Sequence, residues 1–439
     1  MLPPPCGTFV MNSMRQSDQD PPEPASGPRV RWRRLLRWTL VVGLLAWLGH
    51  GALIDVLAGH SGRRSLVGQA LSPAASDLLV RCLEDLPPGP LVDLHAHLAG
   101  RGPDSGCWVN PRLLSPLHPL DWVRMRFYLS GAGLDSESPD AAWIEGLAGL
   151  ARARQRPALH FLLAFDHRYS PQGVRDLDHS EFYVPNDYAH AAAEAHSDVF
   201  RCAISVHPYR PDAVQELERW AARGVRLVKW LPGAQGMDPA SPLCDAFYRA
   251  LAAQGMVLLV HCGEEQAVDA ETDQELGNPL RLRRPLEAGV QILVAHCASS
   301  GTSLDLDVGG PNPPRVGCFE LFLRLMGEEA FEGQLWGEIS TVTQVNRYSN
   351  ALAVLLERED LHPRLVNGSD WPLPALNVLY QTRALASAGF ITAEEREALN
   401  EIYHHNPLTF DLALKRVVRS PETGARFAPE IFTRLGPLR

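Results

Sequence analysis

Residues 91–98 read LVDLHAHL. The run is short, mostly apolar and followed by a Gly- and Pro-rich stretch, which is the pattern of a strand. Side chains alternate along a strand, so His95 and His97 point the same way, and Asp93 is expected on that face too. Two imidazoles at i and i+2 can grip one metal ion, with Asp93 as a hydrogen-bonding partner behind one of them. Seven similar runs follow: HFLLAFDH (160–167), FRCAISVHP (200–208), VRLVKWLP (225–232), MVLLVHCG (256–263), QILVAHC (291–297), LWGEIST (335–341) and RLVNGSDWP (364–372). Such near-continuous apolar runs signal parallel strands buried on both faces. Helix punctuation lies between them. Pro211 opens a helix that Gly224 closes, Ser241-Pro242 opens one that Gly255 closes, Thr392 and Glu395 form a capping box, and Asn406-Pro407 starts the last helix. Eight alternating units in this order predict an α/β fold, a (β/α)8 TIM-like barrel.

In such a barrel the chemistry sits at the carboxyl ends of the strands. His261 and His296 close the fifth and sixth runs, and Asp370 closes the eighth. Lys229 closes the fourth, in a chain that holds 39 Arg and only two Lys. A lysine there suggests chemistry that arginine cannot do. A desolvated amine beside metal ions loses its proton readily and can take up carbon dioxide, becoming a carbamate that bridges two metals. The alternative is an unmodified lysine paired with a substrate anion or a carboxylate. Residues 98–140, 168–187 and 301–318 read as long irregular loops on the substrate side. Among the polar residues near this rim, His207 and Glu264 are the candidates for substrate contact. Asp166, His167, Tyr183, Asn186, Tyr188, Glu265, Arg281, Arg283 and Arg284 are read mainly as loop hydrogen bonds or solvated charge. Cys262 and Cys297 follow the histidines and point to the helix side as small buried hydrophobes.

These residues resemble the amidohydrolase superfamily, over about residues 88–415. His-x-His after strand 1, Lys after strand 4, His after strands 5 and 6 and Asp after strand 8 follow that superfamily's ligand order. GSDWP (368–372), AHC (295–297) and HHNPLTFDLALK (404–415) are similar to its amidohydrolase-related branch. The resemblance implies metal binding by His95, His97, Lys229, His261, His296 and Asp370. His95 and His97 would hold the more buried ion, His261 and His296 a second, and Lys229 would bridge them. It implies one or two divalent ions, zinc foremost, with Mn, Fe or Co as alternatives. A metal-bound hydroxide would then attack an amide, ester or lactone of a small molecule, with Asp370 as proton shuttle. The branch also includes single-metal decarboxylases and hydratases, which is the alternative reading. A binding protein that has lost activity is a third, disfavoured because none of the six ligands is missing.

Composition bounds the rest. The chain has 439 residues, 45% hydrophobic and 21% charged, as in a folded globular protein. Eight scattered cysteines without a CxxC pair exclude a disulfide scaffold or zinc ribbon. Residues 1–64 hold eight Arg against four acidic residues, while the whole chain carries −10, so the body is acidic and nucleic acid is excluded as the main partner. Five arginines between Arg29 and Arg37 precede an apolar run from Trp38 to Ile54. That pattern predicts a transmembrane anchor over residues 35–58, with the barrel on the extracytoplasmic side, or a cleaved signal that exports it. The expected organisation is a disordered basic tail (1–34), the anchor or signal (35–58), a linker and short helix (59–87), the barrel (88–415) and a C-terminal tail (416–439).

Overall fold

The computed structural model describes residues 51–59, 70–102, 104–135, 137–270 and 272–438. Eight parallel strands follow one another in chain order around a single sheet. They are β1 (Leu91–His97), β2 (Ala158–Leu163), β3 (Phe200–Ile204), β4 (Leu227–Trp230), β5 (Val257–His261), β6 (Gln291–Ala295), β7 (Leu335–Glu338) and β8 (Leu365–Val366). The ring closes between β8 and β1, where the Leu94 amide donates to the Asn367 carbonyl (3.0 Å) and the His97 amide to Trp371 (3.0 Å). The expected TIM-like barrel is the observed fold; seven of the eight strands lie within their expected runs, and β2 starts two residues ahead of its run, at Ala158.

Alternation along these strands builds two apolar layers. Val92, Leu94, Phe161, Leu163, Leu227 and Leu259 fill the barrel interior with others of their phase. The opposite phase, including Leu162, Val228, Leu258 and Val294, packs outward against the helices. The main helices are α1 (Pro73–Glu84), α2 (Pro119–Gly131), α3 (Asp140–Arg152), α4 (Asn186–Ala195), α5 (Ala213–Ala222), α6 (Asp245–Ala253), α7 (Cys318–Met326), α8 (Ala393–His405) and α9 (Pro407–Val417). The punctuation works as expected. Thr392 and Glu395 form the reciprocal capping box of α8, and the Asn406 side chain accepts from the Leu408 and Thr409 amides at the start of α9.

Three expectations need correction. First, β1 is not regular: its register against β2 shifts between Asp93 and Ala96. Val92 and Leu94 face the interior while Asp93 faces outward, and the irregularity then turns His95 and His97 inward. Asp93 therefore does not share their face. Second, residues 98–140 are not simply irregular but contain α2, and residues 301–318 contain a two-stranded ribbon (Thr302–Leu304 with Arg315–Gly317). Third, the C-terminal tail, residues 416–439, packs against the barrel. Ile431 and Phe432 are fully buried, and Leu435 and Leu438 pack on the interior cluster.

Most of the expected anchor, residues 35–50, lies outside the described residues. Among the described residues no helix is long and apolar enough to cross a membrane. Residues 51–57 are helical. Ile54 and Ala58 are buried, Asp55 accepts a hydrogen bond from the Ser130 hydroxyl (2.6 Å), and the Ala58 carbonyl accepts one from Tyr403 (3.3 Å).

Candidate metal centre

The carboxyl ends of β1, β4, β5, β6, β7 and β8 bring His95, His97, Lys229, His261, His296, Glu338 and Asp370 to one rim. The tightest group is His95, His97 and Asp370. His95 Nε2 lies 3.2 Å from His97 Nε2 and 3.3 Å from Asp370 Oδ1, and His97 Nε2 lies 3.1 Å from the same oxygen. Metal–ligand bonds of about 2.0–2.1 Å in a tetrahedron separate neighbouring ligand atoms by about 3.3 Å. The donor set and its spacing therefore fit one divalent ion. Lys229 Nζ stands 3.2 Å from His95 Nε2.

The histidines are oriented from behind. His95 Nδ1 meets Glu338 Oε2 at 2.9 Å, His296 Nδ1 meets the Ser340 hydroxyl at 2.7 Å, and His261 Nδ1 meets Glu265 Oε2 at 3.3 Å. In each ring the Nδ1 side is engaged and Nε2 is left for the site. His296 Nε2 lies 3.6 Å from Asp370 Oδ2, and His261 Nε2 is buried with no partner among the described residues. A carboxylate or hydroxyl on the far nitrogen fixes ring orientation and tautomer, which is how proteins prepare imidazoles for a metal. A second triad, His95, His296 and Glu338, also converges.

Backbone strain concentrates here. His296, Cys297, Ala298, Thr341 and Asp370 are the described non-glycine residues with positive φ, between 50° and 59°. All lie where β6, β7 and β8 leave the barrel. Such conformations cost of order 1–3 kcal/mol each and persist only where surrounding structure enforces them. At β8, Gly368 permits close approach: a Cβ there would sit 2.4 Å from Glu338 Oε1 and 2.7 Å from His95 Cβ. Behind it, Lys415 donates to the Gly368 carbonyl (2.6 Å) and to Asp411 (2.7 Å). Both lysines of the chain are thus buried at this rim.

Burial sets the protonation of the site. It lowers Lys229 to about 8, against the pull of Asp370 and Glu338, and lowers His261 to about 4. His296 is held well below its ordinary value, again by burial, and His97 is lowered despite Asp370. Neutral imidazoles are the form that binds metal. Burial by itself would raise Asp370, but the attraction of the neighbouring His95 and His296 rings and the His97 hydrogen bond outweigh it and hold the carboxyl well below its usual range.

The other expected residues fall differently. Asp93 supports the strand: it accepts from His160 Nδ1 (2.8 Å), the His95 amide (3.1 Å) and the Ser369 amide (2.8 Å). It ties β1, β2 and β8 together without touching the ring nitrogens of the site. His207 is tied into the fold. Its Nε2 donates to the Gln235 carbonyl (3.0 Å) and its Nδ1 accepts from the Tyr209 amide (3.1 Å), so both nitrogens are satisfied internally. Glu264 is exposed; its neighbour Glu265 is the one turned to His261. Arg281, Arg283 and Arg284 pair with Asp238, with Asp307 and Glu328, and with Asp245, respectively. Asp166 accepts from the His207 amide and Arg210, and Asn186 from the Ser205 amide. Cys262 and Cys297 are buried, as expected of small hydrophobes. Glu338 was missed, although a lone acid closing an apolar run is the same signal that marks Lys229 and Asp370.

A cavity of about 140 Å³ opens onto His97 and Asp370. Its wall is otherwise apolar or aromatic, with Met125, Leu129, Trp143, Phe165, Phe182 and Leu373 prominent.

The comparisons with known proteins follow this geometry. No curated protein matches the sequence. Solved structures match this chain at low identity. A TIM-barrel protein of Bordetella bronchiseptica is 14% identical, with 74% of this chain and 99% of that one covered and a TM-score of 0.43. A Pseudomonas putida protein described as a 2-pyrone-4,6-dicarboxylic acid hydrolase is 16% identical (76% and 96% covered, TM-score 0.40). A 5-carboxyvanillate decarboxylase of Novosphingobium aromaticivorans, solved with manganese, is 15% identical (75% and 96% covered, TM-score 0.40). The sequence profile of the Amidohydrolase family matches residues 92–410, well over half of the chain. This protein therefore belongs to the amidohydrolase family of TIM-barrel enzymes.

Proposed function

We propose that the protein is a metal-dependent hydrolase that cleaves an amide, ester or lactone bond in a small molecule with an apolar body. The observation that carries this is the convergence of His95 Nε2, His97 Nε2 and Asp370 Oδ1 within 3.1–3.3 Å of one another at the floor of an apolar cavity. A divalent ion on that donor set, zinc foremost, supplies Lewis acidity and makes a nucleophile available near neutral pH. The chain's own residues do the rest. Glu338, Ser340 and Glu265 hold the three rings with Nε2 inward. Asp370, kept ionised by its histidine neighbours, takes the proton of the attacking water and returns it to the leaving group. The apolar wall orients the substrate and excludes bulk water. Lys229, fully buried and drawn toward neutrality, is the residue that would carry a carbamate or remain a neutral amine beside the ion.

The test is a panel of amides, esters and lactones offered to the metal-reconstituted protein. Asp370→Asn should lower kcat by about 10³-fold; near-normal turnover in that variant would overturn the assignment. A second reading, a single-metal decarboxylase or hydratase, is favoured by one observation. Both convergent triads share His95, and His261 belongs to neither. Release of carbon dioxide or water addition with one ion per chain, and an intact mass lacking a carbon dioxide adduct, would select it.

We also read the arginine-flanked run from Trp38 to Ile54 as tethering the barrel to the outer face of a membrane, or as exporting it if cleaved. Protease access to the barrel in sealed vesicles of known orientation tests this.

A further inference from the structure

Helix α2 is apolar on two opposite sides. Met125 and Leu129 turn inward and line the cavity. Leu120, Val123, Phe127 and Ser130, at i, i+3, i+7 and i+10, form the other stripe. On that stripe Leu120 is 86% exposed and Val123 43%, and Leu117, just ahead of the helix, is 89% exposed. The stripe ends at Ser130, whose hydroxyl bonds Asp55. The segment around Asp55 exposes Leu53 (59%), Val56 (58%) and Leu57 (44%) as well. Asp55 and Ser130, 75 residues apart in sequence, are thus joined by a hydrogen bond, and each segment exposes aliphatic side chains. Large exposed aliphatic side chains on two joined segments point to an interaction site. Arg126 stacks on Trp122 at 4.8 Å within α2, an aromatic and cation pair suited to a headgroup layer.

We infer that this surface, Leu53, Val56 and Leu57 with Leu117, Leu120 and Val123, lies in the interfacial layer of a phospholipid bilayer, so that the cavity takes substrate from the membrane. The length of the chain outside the surface selects this occupant. The apolar run that starts at Trp38 reaches the patch at Leu53, and the next residue, Ile54, is already buried in the barrel. A bilayer that holds that run must therefore lie within a few residues' reach of Leu53 and Val56, at under about 3.6 Å per residue. The inference rests on the tether reading above, and names the side of the barrel that faces the lipid and the route of entry. The substrate class it implies is an amphiphile or apolar amide, ester or lactone that partitions into lipid.

The test uses the full chain with Cys6→Ser, which removes the one cysteine outside the described residues. An environment-sensitive fluorophore is attached at Leu120→Cys, and in a control at Ser197→Cys, an exposed position before β3 at the opposite end of the barrel. Vesicles are phosphatidylcholine, with or without brominated acyl chains. The expected result is co-flotation of both proteins, with a blue shift and about twofold quenching by bromolipid at position 120 and neither at 197. Co-flotation without quenching at 120 would overturn the docking surface while leaving the tether intact. No flotation and no quenching would overturn both. A concentration-dependent blue shift at 120 without vesicles would overturn it in favour of a second copy of the chain.

Discussion

Three of the four imidazoles of the rim, His95, His261 and His296, share one device: a partner on Nδ1 that leaves Nε2 for the site. Glu338 serves His95, and removing it should loosen the ring without removing a member of the His95–His97–Asp370 set. Glu338→Gln is expected to weaken divalent metal affinity by about 10–100-fold, measured by competition with a chromogenic chelator; unchanged affinity would show that Glu338 is a spectator. Asp93 makes a different prediction. Burial would raise its carboxyl, but the His160 hydrogen bond and charge win and bring it to about 2. A depressed carboxyl stabilises the fold above its unfolded value near 4, and that stability is lost as pH falls toward 2. The shift corresponds to about 2 kcal/mol. Asp93→Asn should therefore lower stability by about that amount at pH 7 and flatten the decline between pH 4 and 2, read by urea unfolding at each pH. At this scale the sequence was most informative where a polar residue closed an apolar run, as at His95, Lys229, His261, His296 and Asp370. It was least informative where alternation breaks. The irregularity in β1 moved Asp93 to the other face, and the turn after β5 exchanged the roles of Glu264 and Glu265.

Among the elements, the carboxyl end of β8 is the most constrained. Only two residues of it are regular strand, yet it delivers Asp370 in a left-handed conformation. Its brace is Lys415 on α9, bonded to the Gly368 carbonyl and to Asp411, with the whole group buried. Lys415→Met removes the cation from a buried pair and leaves Asp411 uncompensated. Destabilisation of about 3–5 kcal/mol is expected in denaturant titration, and a change within about 0.5 kcal/mol would mean the brace is not needed. The strands were legible because parallel strands buried on both faces are continuous apolar runs. Helix α2 was not, because its residues are apolar on two sides and interrupted by Asp121, Arg124 and Arg126, a pattern that follows neither a one-faced helix nor a strand.

For the molecule as a whole, the barrel extends beyond the limits its strand pattern marks. The floor is sealed by Ile431, Phe432, Leu435 and Leu438, and the other end is buttressed by Ile54, Asp55 and Ala58. These segments carry no periodic signal, since each contributes only a few contacts to a surface built by others. Removing residues 1–50 should leave the thermal stability of the barrel unchanged. Removing residues 1–64 also deletes two hydrogen bonds and the burial of Ile54, and should cost about 2 kcal/mol, seen as a fall in Tm. Equal Tm values for the two truncations would show that the packing of residues 54–58 contributes nothing. The ligand order was visible along the whole chain because the barrel places each strand end on one rim. Substrate identity was not, because the cavity wall comes from loops and α2.

The central claim is that this rim is a metal centre. Elemental analysis of the purified full chain and of His95→Ala/His97→Ala tests it most directly. The account predicts one to two equivalents of divalent metal in the parent protein and loss of at least one in the double variant, with far-ultraviolet circular dichroism unchanged. Equal metal content in both proteins, or none in the parent after reconstitution with zinc, manganese, iron and cobalt, would contradict it.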